Sequence, residues 1–367
     1  MTRVNDLVRV LRAKNLDAVV FIDKPNIFFF SGTEYADALI VPSNGEKPIL
    51  LVTYGFGDFE AHKEARGCAI RVYRPVYRAG AYRFKKTVDR VLEVLRELKL
   101  EKSRIAVCKE LVNQTFYEEL SKKTGLEIVD LTEDVYRLRM VKTADEIEKI
   151  KEAVRIAEEA LDSVLSNLRE GVTEAKLAAE AYYVVWRKGA RPAFDFIVAA
   201  GRNSASAHHQ PGDYKVKRGD LVVIDLGARW KGYCSDITRT VCLGKPSSSQ
   251  LEIYEAVVEA QKKAISVLKG GVEASFVDKE ARKVIEERGY GDCFTHSTGH
   301  GIGVEVHEPP RLSVVNKEVK IPPGTVVTVE PGIYHPNIGG VRVEDDVLVA
   351  KDGAVVLSRY PRKLVLS

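Results

Sequence analysis

Two aspartates stand in the segment VVIDLGARWKGYCSDITRTV, where Asp225 and Asp236 flank a turn-like ARWKG between β-branched runs. A hairpin centred on Trp230–Lys231 makes the two equidistant from the turn and opposed across the ladder, with Cβ atoms about 4.5–5.5 Å apart. Carboxylates that close repel, and one has its pKa strongly raised unless a cation lies between them. The flanking residues are too apolar for a pair of exposed turn acids. A bound metal ion is the simplest counter-charge.

The second constellation is THSTGHGIGVEVHEPPR, which places His296, His300 and His307 within twelve residues and sets three glycines around His300. Glycine permits tight turns and close approach of the chain to a bound group. The spacing is not that of a dinucleotide-binding fingerprint, and no ribose-binding acid follows at the right offset. The third is VVTVEPGIYHPNIGGVRVEDDVLV, with Glu330 at the end of one β run and Glu344 inside another. A carboxylate in so apolar a strand needs a partner. Arg342, on the same strand face, is one candidate and a metal is the other. Two Asp, two Glu and imidazole without thiolate suit hard or borderline divalent ions such as Mn, Co, Fe or Zn. Four carboxylates and a histidine exceed one tetrahedral site, so two ions bridged by carboxylates are expected. Such a centre generates hydroxide near neutral pH and clamps a developing oxyanion, which makes hydrolysis the implied reaction.

The elements that must carry these groups fall into two parts. Residues 1–135 alternate apolar runs (Ala18–Ile22, Ala38–Val41, Ile49–Val52, Ile105–Cys108) with amphipathic stretches such as Thr87–Leu98, the pattern of a small α/β domain. It holds no catalytic cluster. From 136 to 367 the pattern is α+β. A long helix starts after Thr143, with Glu146 completing a capping box. Further helices are expected near 173–188, 248–268 and 274–288, and Ser247–Ser249 reads as a polar loop. Strands are expected at 193–199, 220–227, 233–243, 325–330, 341–349 and 354–357. No internal repeat is visible.

Composition sets the outer bounds. The 367 residues carry 45% hydrophobic and 29% charged side chains, a globular balance. A net charge of +4 argues for neither a nucleic-acid nor a membrane-surface partner. Five cysteines without a CxxC pair fit a reducing, cytoplasmic setting. The charged start lacks a secretory signal, and no apolar run is long enough to span a membrane.

The order DxG, DITRT, HxxGHGIGxxxHE, VEPGIY and GVRVED resembles the pita-bread (M24) metallopeptidases, over about residues 135–360. That family includes methionine aminopeptidase, aminopeptidase P, Xaa-Pro dipeptidase and creatinase. The resemblance implies a C-terminal pita-bread domain of creatinase/aminopeptidase type preceded by a smaller creatinase-type α/β domain. It implies Asp225, Asp236, His300, Glu330 and Glu344 as ligands of two divalent ions, with Glu330 also shuttling the proton of the attacking hydroxide.

Other roles come by the same resemblance. N-S-A-S-A-H places a substrate-contacting histidine at His208, although Ala207 replaces the usual proline and His209 is a rival; Pro211 favours His208. His307 resembles the second catalytic histidine, and His296 a pocket residue. Arg311, after HEPP, matches the arginine that grips the free carboxylate of a dipeptide, and Phe194 suits an apolar wall for a proline ring. Cys234 and His335 read as structural. Asp346 stands where the family often has threonine. The extra N-terminal domain is unlike ordinary methionine aminopeptidases and the intact ligand set unlike creatinases, and Arg311 with the compact length makes the chain most similar to the Xaa-Pro dipeptidases. An Xaa-Pro aminopeptidase acting on longer peptides is the neighbouring alternative, and a non-catalytic binding module on this fold is the alternative of another class. The family further implies a homodimer.

Overall fold

The structure, a computed structural model, describes residues 2–79, 81–100, 102–124 and 128–366. The chain divides into two compact units, Met1–Arg139 and Met140–Ser367. The boundary expected after residue 135 falls inside helix Thr132–Met140, and the units part at the end of that helix.

Among the described residues, the first unit builds a six-stranded sheet in the order Ala69–Tyr73, Ile49–Thr53, Ala38–Pro42, Ala18–Phe21, Ile105–Val107, Ile128–Asp130. The four inner strands are the apolar runs of the sequence. The two outer ones were not recognisable, because an edge strand is only half covered and AIRVY is correspondingly mixed. Helix Thr87–Glu97 buries Val88, Val91, Leu92, Val94 and Leu95 in the core of this unit, as its periodicity requires.

The second unit is built twice over from one plan. Helices Ala144–Asn167 and Glu174–Arg187 precede strands Ile197–Ala200, Leu221–Leu226 and Ile237–Leu243. Helices Ser248–Val267 and Ala274–Glu287 precede Gly299–Gly301, Val326–Val329 and Asp345–Val349. The turn between the helices is held alike in both halves: Gly171 donates to Val216 and Gly271 to Ile321, beside the bridges Thr173↔Lys215 and Glu273↔Lys320. GDLVVIDLG and GTVVTVEPG then align, putting Asp225 and Glu330 in equivalent places, and Gly219 and Gly324 both take positive φ. Asp236 and Glu344 each stand just before the last of the three strands. The chain therefore does contain an internal repeat. It escaped the sequence because it is conserved in turn geometry and apolar periodicity rather than in identities. Thr143 and Glu146 form the expected capping box, and Ser247 with Gln250 forms a second one where only a polar loop was expected.

Two strands expected to be continuous are broken, and the breaks carry the acids. The 233–243 run separates into Tyr233–Cys234 and Ile237–Leu243, leaving Asp236 between them. The 341–349 run separates into Gly339–Arg342 and Asp345–Val349, which belong to different sheets, leaving Glu344 between them. The hairpin register also differs from expectation. Lys231 and Gly232 both take positive φ and form the two-residue turn, with Trp230 opposite Tyr233. Asp225 is consequently paired with Thr238, and the two aspartates are diagonal rather than opposed.

Glycines near His300 serve the sheet rather than a bound group. A Cβ on Gly299 would lie 2.0 Å from the Thr328 carbonyl oxygen, and one on Gly301 2.4 Å from that of Pro309. Gly299→Ala should therefore destabilise the metal-free protein by about 1–3 kcal/mol, since strand Val326–Val329 must move aside. Denaturant unfolding checks this, and an unchanged midpoint would contradict it.

Candidate metal centre

Strand breaks turn Asp236 and Glu344 toward His300. One ligand atom from each of these three lies within 4.8 Å of the others, and all three residues are buried. Glu330 follows strand Val326–Val329, with its amide held by the Thr298 carbonyl at 2.7 Å and its Oε1 3.4 Å from His300 Nε2. Asp225 lies on strand Leu221–Leu226, paired with Ile237–Leu243, and its Oδ2 accepts from Arg342 Nη2 at 2.5 Å.

The amides at the breaks are held by other segments. Asp236 N donates to Asp346 Oδ2 (3.0 Å) and Glu344 N to the Thr238 carbonyl (3.1 Å). Thr238 Oγ1 donates to Glu344 Oε2 at 2.6 Å. Arg239 donates to the Glu344 carbonyl and to Asp345 Oδ1, which Gln261 and Arg362 also hold through Oδ2. Arg342, considered as a partner for Glu344, instead donates to Asp225, Tyr334, Thr238 and the Ala207 carbonyl. None of these supporting roles was recognised in the sequence. The signal present was a run of charged residues inside β-branched strands, which the apolar surroundings require to be paired.

Charge and solvation at the cluster match a cation site. Burial pushes Asp236 and Glu344 well above the usual carboxylate range, and repulsion from the neighbouring carboxylates adds to it. Burial likewise raises Glu330 to about 8. Among the described residues, Asp225 Oδ1, Asp236 Oδ1 and Glu344 Oε1 are buried without a hydrogen-bond partner. Unsatisfied buried carboxylate oxygens are costly, and divalent ions would satisfy them. His300 is held down to about 3 by burial and by His307, so its ring is neutral. Its Nδ1 donates to the Gly301 carbonyl at 3.1 Å, leaving Nε2 with a free lone pair on the acid side. Cys234 is buried, its thiol pushed up to about 12 by desolvation, and its Sγ donates to the Val304 carbonyl at 3.7 Å. The donor set of oxygen with one imidazole fits divalent metal ions.

The remaining candidates fall around this cluster. The His307 ring is 4.3 Å from that of His300, and burial lowers its pKa. His208 is exposed and close enough to add its charge effect to both His296 and His307. Its rival His209 has its Nε2 tied to buried Glu174 at 2.8 Å. His296 Nδ1 donates to the Ser297 carbonyl, and Nε2 accepts from the Tyr334 hydroxyl at 2.9 Å. Arg311 is exposed and donates through Nε to Ser297 Oγ at 3.1 Å. The Phe194 ring rests against Gly227, where an added Cβ would lie 2.9 Å from it. His335 points elsewhere, accepting from the Asn337 amide.

A carboxyl whose folded pKa lies above its unfolded value stabilises at low pH and loses that contribution as pH rises through the folded pKa. The His296, His300 and His307 rings are pushed below their usual range, so above pH 7 the raised acids dominate at this cluster. The thermal midpoint of chelated protein should therefore fall between pH 7 and about 8.5. A divalent ion should raise that midpoint more at the upper end of the range than at the lower. A midpoint in chelator that rises with pH would contradict the reading.

Known proteins share this fold. The pattern of metallopeptidase family M24 matches residues 148–351, and that of the creatinase/prolidase N-terminal domain matches residues 3–141. An Xaa-Pro dipeptidase from Pyrococcus horikoshii is 38% identical over 367 residues, covering 99% of this chain and 98% of its own. The structure of an Xaa-Pro dipeptidase from Bacillus anthracis superposes with a TM-score of 0.89 at 33% identity, covering 100% of this chain and 99% of its own. That of an X-Pro aminopeptidase from Thermotoga maritima MSB8 gives the same TM-score and identity, over 99% of each chain. The second unit is thus a pita-bread domain preceded by a creatinase-type domain, and the chain belongs to metallopeptidase family M24.

Proposed function

We propose that this metallopeptidase is an Xaa-Pro dipeptidase that hydrolyses the bond before proline with two divalent ions, held by Asp225, Asp236, His300, Glu330 and Glu344. The observation that carries the reading is the buried group of Asp236, His300 and Glu344 with Glu330 3.4 Å from His300, in a chain similar over its whole length to proteins named Xaa-Pro dipeptidase. A two-metal centre supplies a nucleophile at neutral pH and polarises the scissile carbonyl.

The chain's own residues do the rest. Residues 140–367 carry the chemistry. Glu330 takes a proton from the attacking water and returns it to the leaving amine. His208 and His307 donate hydrogen bonds to the substrate carbonyl and to the oxyanion that develops on it. Phe194 and His296 line the pocket, with the His296 ring fixed between Ser297 and Tyr334. The Arg311 fork binds the free carboxylate of the dipeptide, a contact for which its planar geometry is suited. The native metal among Mn, Co, Fe and Zn follows from availability as much as affinity. The creatinase-type domain is associated in this family with a homodimer, which we carry to this chain as part of the proposal.

The similarity to the Thermotoga aminopeptidase keeps a second reading, removal of the first residue from longer Xaa-Pro peptides. Comparing Met-Pro with an Xaa-Pro-Pro tripeptide separates the two, and cleavage of the tripeptide alone would falsify the dipeptidase assignment. Chelation should abolish hydrolysis and added metal restore it; activity indifferent to chelator would favour a non-catalytic module. Arg311→Ala should raise KM for dipeptides by roughly 10–100-fold, the value of one charge-assisted carboxylate contact, with kcat nearly unchanged. An unaltered KM sinks that role.

A further inference from the structure

Glu174 opens helix Glu174–Arg187 directly after its N-cap Thr173, and its side chain is fully buried. Both carboxyl oxygens face the segment 200–212. Oε1 accepts from the Ala200 amide at 2.7 Å and from Asn203 Nδ2 at 3.0 Å. Oε2 accepts from His209 Nε2 at 2.8 Å and from the Gly212 amide at 3.2 Å. A carboxylate offers about four acceptor positions, and here each has a donor. The helix N-terminus further favours negative charge at this place.

All four of these donors come from one segment, which runs from the last residue of strand Ile197–Ala200 to Gly212. Two precede His208 in the chain and two follow it. His208 itself is exposed, and the carbonyl of the preceding Ala207 accepts from Arg342 Nη1 at 3.3 Å. The loop is therefore pinned by Glu174 on its buried side and by Arg342 on the side of the acid cluster. Glu174 makes none of its hydrogen bonds to the five acid and imidazole residues of that cluster. A buried acid placed only for folding has no reason to draw all these donors from the single segment that carries an exposed histidine.

We infer that Glu174 is a positioning residue for the reaction: through its four hydrogen bonds it fixes the 200–212 loop so that His208 meets the substrate. The inference rests on the proposed role of His208. Glu174→Gln keeps the shape but turns an amide N–H₂ toward either the Ala200 and Asn203 donors or the His209 and Gly212 donors, so one flank of the segment is released.

The test is a double-mutant cycle of Glu174→Gln with His208→Ala, measured on metal-loaded enzyme with an Xaa-Pro dipeptide. Glu174→Gln alone should lower kcat about 10–100-fold, the order expected for a catalytic group displaced by roughly an ångström. KM and metal stoichiometry should change little. In the His208→Ala background the same substitution should cost almost nothing more in kcat, because there is no longer a histidine to position. An equal loss in both backgrounds would show a purely structural role and overturn the inference. An unchanged kcat in His208→Ala alone would overturn the reading of His208 instead. If Glu174→Gln fails to fold, Asn203→Ala removes one of the four bonds without leaving a buried donor. It should lower kcat several-fold with His208 present and not in its absence; equal losses again count against the inference.

Discussion

Four carboxylates and an imidazole gathered in a buried site, with one guanidinium pressed against Asp225, form the arrangement on which the rest of the catalytic unit depends. Desolvation and mutual repulsion both act on the charged forms, and the outcome is visible in Asp236, Glu330 and Glu344, all pushed upward. Several buried oxygens are left without a protein donor. A fold that tolerates this must hold the acids by means other than their own side-chain bonds. Here it does so through their backbones. The amides of Asp236, Glu330 and Glu344 are bonded to Asp346, Thr298 and Thr238, while Arg239 grips the Glu344 carbonyl from behind.

That frame explains why Asp236, Glu330 and Glu344 sit at strand ends and breaks, while Asp225 alone of the four stays inside a ladder. Inside a regular ladder, neighbouring residues alternate between faces and cannot converge. Where the ladder stops, as at Asp236 and Glu344, the chain can turn a carboxylate inward and still satisfy its amide from another strand. Glycines make the close approach possible: Gly227, Gly299 and Gly301 each bring a carbonyl oxygen to within 2.4 Å of where a Cβ would stand. The duplicated plan of two helices and three strands supplies the acids in equivalent pairs, one pair from each half.

Much of this was legible before any fold was known. The capping box at Thr143 and the inner strands of the first unit follow from residue type, spacing and local periodicity. Residue type and spacing also pointed to the four acids and to a histidine beside them, and the family resemblance singled out His300. Other features were not. The hairpin register turned on positive φ at both Lys231 and Gly232, a pair with weak sequence preference for that turn. The partner of Arg342 could not be read from strand periodicity, because its guanidinium crosses to a different sheet to reach Asp225. The repeat lay hidden because two halves can share turns and apolar periodicity while sharing few identities.

His208 and His209 show where the division falls. The chain order set two imidazoles side by side in a polar loop, and only the position of Pro211 favoured His208 over His209. The fold separated them by folding a buried glutamate from the preceding helix under one and leaving the other exposed near His296 and His307. Likewise, the sequence by itself determined which groups of hard-ligand chemistry were present and in what order, because ligand type and local spacing are properties of the chain. Only the tertiary structure decided which carboxylate oxygens lose water and which residues brace them. Those outcomes depend on contacts between segments a hundred or more residues apart, such as Thr238 with Glu344 or Arg342 with Asp225.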